Sequence, residues 1–323
     1  MFASQQIFVT GANGRVGQRL VTALVAQGAR VVGLARSEAK ARAVRSLGAQ
    51  CVVGDLGDRE ALEKGVQGAG VLFHLAGGLR GAGSVTADQV NHQGTRTLID
   101  VLSGVRAQSI KSVVFTSSAA VYGDRSGLWV DESMPVLPQT LYGLSKVEAE
   151  NALLSSELPI RVARLSAVYG EGFPFMMVDQ IRKGTAWLPG EGGNHVSTIH
   201  IDDAVAGLLR IAEAGKNGET YNLSDRSPLM LRDFYRLVFE HVGGKPLRFW
   251  STWVPSRVQF VMARSNERIM SRMGRAPKVT PDALKLFLAS SRLNVDKLLK
   301  ELDFSWRYPS AVEGLTATLQ SET

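Results

Sequence analysis

The chain has 323 residues, of which 45% are hydrophobic and 21% charged, and its formal net charge is +7. This length predicts one large domain, or a large and a small one, with an ample core. The single cysteine, Cys51, excludes an internal disulfide and fits a reducing compartment. No basic and apolar leader precedes the first apolar run, and no apolar run approaches the roughly 18 residues that a membrane span needs, so we expect a cytoplasmic protein.

The positive charge predicts an affinity for anions such as phosphorylated cofactors, acidic substrates or a membrane surface. The basic residues are not interleaved with aromatic residues in clusters, so we expect no nucleic-acid partner. We predict no metal site.

Short apolar runs alternate with amphipathic segments along the first part of the chain. The runs predict strands at Ile7–Val9, Val31–Leu34, Cys51–Val53, Val71–Leu75, Val113–Thr116 and Ile160–Ala163, with a seventh at Glu219–Leu223. Helical periodicity predicts helices at Gly17–Gln27, Asp58–Val66, Asn91–Leu102 and Leu144–Ser155. This alternation is typical of an α/β fold with a doubly wound parallel sheet of the Rossmann type. We place that domain at residues 1–165, completed by the strand near 219–223, with a smaller, mostly helical and interleaved lobe at 166–323.

The first strand runs through the glycine-rich turn Val9-Thr-Gly-Ala-Asn-Gly-Arg-Val-Gly17 directly into a helix. Gly11 permits a tight turn, Gly14 lets the backbone approach a pyrophosphate, and Gly17 allows close packing. The positive end of the helix would then face the phosphates. This placement indicates dinucleotide binding, while a structural turn is the alternative.

The end of the second strand predicts NADP in preference to NAD. An acid there would bind the ribose hydroxyls of NAD, whereas an arginine would pair with the 2′-phosphate of NADP. The chain has Ala35 at the acid's position, then Arg36, and Arg15 in the glycine turn is a second candidate. The alternative is that both arginines are solvated. After the third strand, Asp55 can accept a hydrogen bond from adenine while Leu56 packs on the ring, or Asp55 can cap a helix.

A phenol and an ammonium lie four residues apart in Leu141-Tyr-Gly-Leu-Ser-Lys146. Residues at i and i+4 share one helix face, so Tyr142 and Lys146 can share a pocket. Taken alone, the pair is also a common coincidence of two surface residues. The fifth strand ends at the hydroxyls of Thr116-Ser-Ser118, on the edge where open α/β sheets bind ligands.

A series of motifs in chain order resembles the extended short-chain dehydrogenase/reductase family, within the NAD-dependent epimerase/dehydratase superfamily. The motifs are Thr10-Gly-x-x-Gly-x-x-Gly17, Asp55-Leu56, His74-Leu-Ala-Gly77, Asn91 with Gly94-Thr95, Ser117-Ser118, Tyr142-x-x-x-Lys146, Arg164 with Tyr169-Gly170, and His200-Ile-Asp-Asp203. The resemblance implies Tyr142 as general acid in reduction and general base in oxidation. It implies that Lys146, together with the positive nicotinamide of the oxidised cofactor, lowers the pKa of the phenol, that Lys146 binds the nicotinamide ribose, and that Ser118 polarises the substrate oxygen. Ser117 is the less favoured candidate for that role and can instead hold backbone groups.

The resemblance also implies which residues contact the cofactor: Gly11, Asn13, Gly14, Arg15, Val16, Gly17, Arg36, Asp55, Leu56, Leu75, Ala76, Gly77, Tyr142, Lys146, Leu165 and Val168. It gives Asn91, His74 and the His200–Asp203 segment structural roles. A homodimer is implied through the helices that begin near Asn91 and Tyr142.

Departures from the family pattern bear on the substrate. Ala167 stands where sugar-nucleotide enzymes commonly carry an asparagine, and Ala119 where sugar dehydratases place an acid. Arg36 fits a reductase that exchanges its cofactor. The chain is more similar to the 3β-hydroxysteroid dehydrogenase-like and dihydroflavonol-reductase-like branch, which implies a hydrophobic ketone or secondary alcohol as substrate. A nucleotide-sugar epimerase or dehydratase and a catalytically idle NADP-sensing or scaffold protein are the alternatives.

Aromatic residues in the second half predict either an apolar substrate pocket or ordinary core: Phe173–Met177, Trp187, Phe249, Trp250 and Trp253. The glycine-rich segment Gly77–Ser84 is a candidate lid or a surface turn.

The segment Val254–Arg275 has apolar residues at helical spacing beside a row of arginines. The apolar residues are Val258, Val261, Met262, Ile269 and Met273, and the arginines are Arg257, Arg264, Arg268, Arg272 and Arg275. Such a helix can lie on an anionic membrane or meet a phosphorylated carrier such as coenzyme A. We favour an amphipathic helix that faces the core and has a solvated basic side.

Overall fold

The computed structural model describes residues 2–78, 89–104, 109–126, 128–171, 181, 183, 188, 190–242, 256–273 and 280–320. Its strands are β1 Gln6–Thr10, β2 Arg30–Ala35, β3 Gln50–Val53, β4 Val71–His74, β5 Ser112–Ser118, β6 Trp129–Val130, β7 Ile160–Leu165, β8 Ala167–Tyr169, β9 His195–Val196, β10 Thr198–His200, β11 Thr220–Leu223, β12 Leu229–Met230 and β13 Arg292–Leu293. Its α-helices are α1 Arg15–Ala26, α2 Glu38–Arg45, α3 Arg59–Val66, α4 Gly94–Leu102, α5 Leu141–Leu154, α6 Ile201–Ala214, α7 Leu231–Val242, α8 Ser256–Arg272, α9 Pro281–Leu288, α10 Asp296–Leu302 and α11 Ala311–Gln320.

The central feature is a seven-stranded sheet in the order β11-β7-β5-β4-β1-β2-β3. Each neighbouring pair is parallel. The strand order runs outward from β1 in both directions, so the winding reverses between β1 and β4, where Thr10 lies opposite His74. In such sheets the ligand crevice lies at the carboxyl ends of the strands beside this reversal. The predicted doubly wound parallel sheet is confirmed.

Two apolar layers cover the sheet because successive residues of a strand point to opposite faces. Ile7 and Val9 of β1 pack with α1 and α6, whereas Phe8 between them packs with α3 and α4. Strands that are buried on both faces need continuous apolar runs, which explains why the sequence revealed them.

The element bounds differ from the predicted ones where polar residues take part in structure. β5 continues to Ser118, because Ser117 and Ser118 pair with residues of β7. The helix predicted from Asn91 begins as a π-helical turn at Gln89–Gln93 and becomes α-helical at Gly94. α5 starts at Leu141, since Thr140 caps it by accepting the Gly143 N–H at 3.0 Å. α2, capped by Ser37, was not predicted.

Beyond β7 the chain leaves the large sheet and returns to it. β8 pairs with β10 outside it, and α6 then leads to β11, which pairs with β7 at the edge. α7 and α11 pack together around Tyr169 and Phe234. The division at residue 165 into a cofactor domain and a substrate lobe stays a prediction. Within the described ranges, none of the helices combines the length and apolar character needed to cross a membrane.

Candidate active site

The glycine turn between β1 and α1 has two positions, Gly11 and Gly17, at which a side chain would not fit. Gly11 has a φ of +70°, and a Cβ there would lie 2.7 Å from the Ala76 nitrogen. A Cβ at Gly17 would lie 2.1 Å from the Gly11 carbonyl oxygen. The Gly14 N–H donates to that same oxygen at 2.9 Å. The turn therefore keeps its backbone exposed at the carboxyl edge of the sheet.

The N-terminus of α1 has no side-chain cap and no acid in its first turn. By contrast, Ser37, Asp58 and Thr140 cap α2, α3 and α5. Uncapped N–H groups and the positive helix end attract an anion. Gly14 and Arg15 are exposed here, and Asn13 and Val16 are partly exposed. The turn therefore fits the pyrophosphate of a dinucleotide.

The ends of β2 and β3 lie on the same edge of the sheet. Arg36 directly follows β2 and is exposed. The position before it, where an NAD-binding enzyme would carry an acid, is the buried Ala35. After β3, the exposed Asp55 accepts the Gly57 N–H at 2.8 Å, and Leu56 is buried. The cap of α3 is Asp58, so the alternative of a helix cap does not hold for Asp55.

A buried hydrogen-bond chain holds the end of β4. The Ala76 N–H donates to the Thr10 hydroxyl, which lies 2.7 Å from His74 Nδ1, while His74 Nε2 lies 2.9 Å from the Thr95 hydroxyl. Thr95 itself donates to the Asn91 carbonyl oxygen. His74 therefore donates from Nε2 and accepts at Nδ1, as a neutral imidazole does. Burial first, and a nearby ammonium second, lower its pKa to about 3. The expected structural role of His74 is confirmed.

Asn91 joins the segment after β4 to α5. Its Oδ1 accepts the Gly78 N–H at 3.0 Å, and its Nδ2 donates to Ser145 Oγ at 2.9 Å. A Cβ at Gly77 would lie 2.8 Å from both Asn91 Oδ1 and Lys146 Nζ. The segment from Leu75 to Gly77 is partly or fully exposed, so its backbone faces the crevice beside Lys146.

The structure brings Ser118, Tyr142 and Lys146 together. Ser118 at the end of β5 accepts the Ala120 N–H at 3.2 Å, and its hydroxyl lies close enough to the Tyr142 phenol to lower the pKa of that phenol. The two elements approach closely because position 143 is glycine: a Cβ there would lie 2.6 Å from the Ala120 carbonyl oxygen. One turn further along α5 is Lys146, so the four-residue spacing forms one cluster.

Lys146 is 3% exposed, which is unusual for an ammonium. Its Nζ donates to the Thr116 carbonyl oxygen at 2.9 Å and lies 4.8 Å from the centre of the Phe115 ring. Burial lowers the pKa of Lys146 to about 8, and the charge of Glu150 offsets part of the fall.

The pKa of Tyr142 differs in direction from the expected fall. Burial raises the pKa of Tyr142, and the nearby Ser118 hydroxyl offsets part of the rise. The Lys146 ammonium does not reverse the rise in the Tyr142 pKa. Its Nζ points to the carbonyl oxygen of Thr116, and burial disfavours the charged form of Lys146.

Glu150, which the sequence reasoning missed, anchors the next turn of α5. Arg164 donates to both its carboxylate oxygens, at 3.1 and 2.7 Å, and to the Tyr122 hydroxyl at 2.9 Å. The Tyr122 hydroxyl donates onward to Asn222. Two signals pointed to Glu150: its four-residue spacing from Lys146, and the requirement that a buried arginine have a carboxylate partner.

Three buried hydroxyl groups lie near the ends of β5 and β7. Thr116 Oγ1, Ser117 Oγ and Ser166 Oγ are buried without a hydrogen-bond partner within the described part of the chain. The expectation that Ser117 holds backbone groups is therefore wrong. Leu165 lies opposite Ser118 and is buried, and Val168 in β8 is partly buried.

The His200–Asp203 segment fastens α6 to the C-terminal part. His200 accepts the Asp202 N–H and contacts the Thr318 hydroxyl at 3.0 Å. The Asp203 carboxylate accepts the N–H groups of Arg307 and Tyr308. This agrees with the expected architectural role. The aromatic candidates Phe173–Met177, Trp187, Phe249, Trp250 and Trp253, and most of the segment Gly77–Ser84, lie outside the described residues.

Comparison with known proteins gives consistent matches. The model of the NAD dependent epimerase/dehydratase family matches residues 7–224. A 4-hydroxy-2-methyl-3-oxo-4-farnesyl-3,4-dihydroquinoline-1-oxide ketoreductase of Stigmatella aurantiaca is 35% identical over 97% of this chain and 96% of its own. A 2-alkyl-3-oxoalkanoate reductase of Stenotrophomonas maltophilia is 29% identical over 74% of this chain and 76% of its own.

A solved structure shows the same fold. The UDP-glucuronic acid 4-epimerase of Bacillus cereus, in complex with UDP-glucuronic acid and NAD, superposes with a TM-score of 0.75 at 22% identity over 98% of each chain. The family model spans both the glycine turn and the Ser118, Tyr142 and Lys146 cluster. The chain belongs to the NAD-dependent epimerase/dehydratase family, and it is an oxidoreductase of the extended short-chain dehydrogenase/reductase type.

Proposed function

We propose that this protein is an NADP-dependent carbonyl reductase that interconverts a fairly apolar ketone and the corresponding secondary alcohol. The proposal rests mainly on the proximity of the Ser118 hydroxyl to the Tyr142 phenol, with the buried Lys146 one turn further along α5, at the carboxyl edge of β5. This arrangement offers two hydroxyl groups to one substrate oxygen beside a positive charge.

The cofactor residues follow the same edge of the sheet. The glycine turn and the uncapped start of α1 hold the pyrophosphate, Arg36 pairs with the 2′-phosphate, and Asp55 and Leu56 flank the adenine. The reduced nicotinamide supplies a hydride to the carbonyl carbon when bound. The absence of a carboxylate at Ala35 supports NADP.

The proton comes from Tyr142. Burial raises the pKa of its phenol, so the group is protonated at neutral pH and can donate to the substrate oxygen. The Ser118 oxygen accepts the Ala120 N–H, and its own hydrogen, which favours the Tyr142 phenolate in the free protein, turns to the substrate oxygen when the ketone binds. In the alcohol-oxidising direction, the Tyr142 phenolate removes the proton again.

Lys146 acts in two ways. Below about pH 8 its ammonium is charged and stabilises the phenolate that remains after proton transfer. One of its three hydrogens is donated to the Thr116 oxygen, and the others can reach a nicotinamide ribose hydroxyl beside Gly77.

Two lines support an apolar ketone. The two reductases named above carry an oxo group together with a farnesyl or alkyl group in the names of their substrates. In this chain, Ala167 and Ala119 replace the asparagine and the acid expected of enzymes that act on nucleotide sugars. We propose that residues 166–323 supply most of the substrate contacts.

The test is NADPH oxidation with a panel of 2-alkyl-3-oxo, steroid, flavonoid and quinoline ketones, with Tyr142→Phe in parallel. The phenylalanine retains the ring and lacks the proton donor, so we expect at least a hundredfold lower kcat with NADPH affinity within about threefold. The control is Tyr308→Phe, which changes a phenol away from the cluster and leaves turnover unchanged. NADPH binding without turnover of any ketone would contradict the proposed reductase. NAD that stays bound through purification, together with epimerisation of a nucleotide sugar, would show that the protein is a nucleotide-sugar epimerase instead.

A further inference from the structure

Helix α8 exposes large apolar side chains. Val261, Met262 and Ile269 are 64%, 61% and 56% exposed, Val258 is 45% exposed, and Met273, which directly follows the last residue of the helix, is 57% exposed. The interpretation we favoured from the sequence, in which these residues face the core, is wrong. Exposed apolar side chains in one continuous stripe indicate an interaction surface.

The helix packs on the protein through a different face. Gln259 and Ala263 are buried, Asn266 and Met270 are partly buried, and Gln259 Oε1 accepts the Gly190 N–H at 3.2 Å. At 100° per residue, this packing face is separate from the apolar stripe. The stripe therefore is not needed to hold the helix in place.

A row of arginines borders the stripe on one side. Arg257, Arg264 and Arg268 are exposed at helical angles next to that of Val261, and the exposed Arg272 falls between Val261 and Val258. Glu267 is the single acid in the sequence of α8, and it is partly buried on the packing side. The exposed part of the helix is thus apolar along one line and positive along the next.

We propose that α8 is the docking surface of this protein for an anionic lipid membrane. The five apolar residues of the stripe enter the boundary between headgroups and acyl chains, and the four arginines contact phosphate groups of the headgroups. The net charge of +7 attracts the whole molecule to the same surface.

The dimensions favour a membrane over other occupants. The stripe from Val258 to Met273 is about 22 Å long, because a helix rises about 1.5 Å per residue. A phosphorylated carrier presents a compact anionic group, whereas arginines spread over this length match a field of headgroups. A second copy of the chain, joined through the same stripe, would bring two arginine rows to one interface, which like-charge repulsion opposes.

The position of α8 relates the surface to the candidate active site. α9 packs against α8, and Asp282 in the first turn of α9 accepts the N–H of Leu141 at 3.0 Å. Leu141 directly precedes Tyr142, so a single helix, α9, connects the docking helix to the start of α5. Only this step rests on the proposed function: apolar ketones partition into membranes, and the enzyme would meet them there.

The experiment is flotation of the full-length protein with vesicles of phosphatidylglycerol and phosphatidylcholine, and with vesicles of phosphatidylcholine alone. We expect the protein to float with the anionic vesicles and not with the neutral ones. The variant Val261→Glu/Ile269→Glu, and the variant Arg264→Gln/Arg268→Gln/Arg272→Gln, should each bind the anionic vesicles about a hundredfold more weakly. All five exchanged side chains are exposed, so circular dichroism should show folded variants.

Matched controls separate the stripe from general surface effects. Val312→Glu changes an exposed valine on α11, and Arg42→Gln/Arg59→Gln/Lys64→Gln removes three charges from α2 and α3; both should float as the unchanged protein does. Equal losses in the controls, or no binding to anionic vesicles, would overturn the proposal. A smaller oligomer of Val261→Glu/Ile269→Glu in light scattering would assign the stripe to a second copy, and retention on immobilised coenzyme A without vesicle binding would assign it to a carrier. None of these readouts depends on turnover.

Discussion

At the scale of single residues, the site depends on polar groups that are buried and paired. Lys146 keeps an ammonium 3% exposed, held by one carbonyl oxygen and by the charge of Glu150, which in turn is paired with Arg164. Glu150 therefore has two functions in the cluster: it compensates the buried arginine and it moderates the fall in the pKa of Lys146. Tyr142, Lys146 and Glu150 follow one another at four-residue spacing on one face of α5.

Arg36 is the residue on which the choice of cofactor depends in our account. Arg36→Ala removes the proposed partner of the 2′-phosphate, and a charge-assisted hydrogen bond contributes about 1.5–3 kcal/mol, so NADPH affinity should fall by about 10- to 150-fold. NADH affinity should change by less than about twofold, because NADH lacks that phosphate. Fluorescence titration of both cofactors measures this.

Arg42→Ala is the matched control, since Arg42 is an exposed arginine further along the chain, within α2. It should leave both affinities unchanged. A parallel loss for NADPH and NADH, or no loss for either, would show that Arg36 does not select the cofactor.

At the scale of elements, the sequence predicts a helix or strand well when neighbouring residues determine it, and poorly when contacts between distant residues determine it. Most strands of the large sheet were evident because they are buried on both faces; the edge strand β3, whose residues are exposed or partly exposed, was evident only from its apolar residues Cys51–Val53. The start of α5 was misplaced because Thr140 caps it beyond the apolar pattern. The π-helical turn at Gln89–Gln93 had no local signal, since hydrogen bonds of Asn91 to Gly78 and Ser145 hold residues that are far apart in the chain. The cluster was predicted from motif spacing, whereas Glu150 and the direction of the pKa shift of Tyr142 depend on tertiary burial.

The contact between α1 and the glycine turn gives a prediction at this scale. Gly17→Ala places a Cβ 2.1 Å from the Gly11 carbonyl oxygen and 3.0 Å from backbone atoms of Ala12, none of which can rotate away. The free energy of unfolding should fall by about 1–3 kcal/mol, as for other overpacked sites, and NADPH affinity should fall as the turn shifts. Urea unfolding measures the first effect.

Gly70→Ala serves as the comparison, because a Cβ there meets no atom within 4 Å. Its free energy of unfolding should change by less than about 0.5 kcal/mol. Similar values for the two variants would mean that the turn adapts to a side chain at Gly17.

At the scale of the whole molecule, buried polar groups link the large sheet to the segments outside it. Asp225 follows β11, is fully buried, and accepts hydrogen bonds from the Thr198 hydroxyl of β10 at 2.5 Å and from the Ser227 N–H. Asp203 of α6 accepts two N–H groups near the C-terminal end. These carboxylates join elements that are distant in sequence. Motif spacing therefore identified the His200–Asp203 segment but not the residues that it contacts.

Asp225 makes stability depend on pH. Burial raises its pKa from 3.8 to about 7. Between these values the folded chain holds a proton that the unfolded chain has lost, so this group's contribution to the free energy of unfolding falls as pH rises and levels off above about pH 7. The stability of the unchanged protein relative to Asp225→Asn should therefore fall by about 2–3 kcal/mol between about pH 5 and pH 8.

Urea unfolding at several pH values checks this, with the exposed Asp100→Asn as control. The stability difference between the unchanged protein and the control should be level over this range. A level difference for Asp225→Asn as well would show that the buried carboxyl is ionised throughout.

In the function that we propose, the Ser118, Tyr142 and Lys146 cluster lets a hydride pass from the reduced cofactor to an external carbonyl. The most direct measurement is mass spectrometry of the products formed from the ketone panel with NADPH that carries deuterium at the transferable position. We predict an alcohol with one deuterium on the former carbonyl carbon, formed by the unchanged protein and by Tyr308→Phe and lost in Tyr142→Phe. Products without deuterium, or a Tyr142→Phe variant that labels as well as the unchanged protein, would contradict the claim.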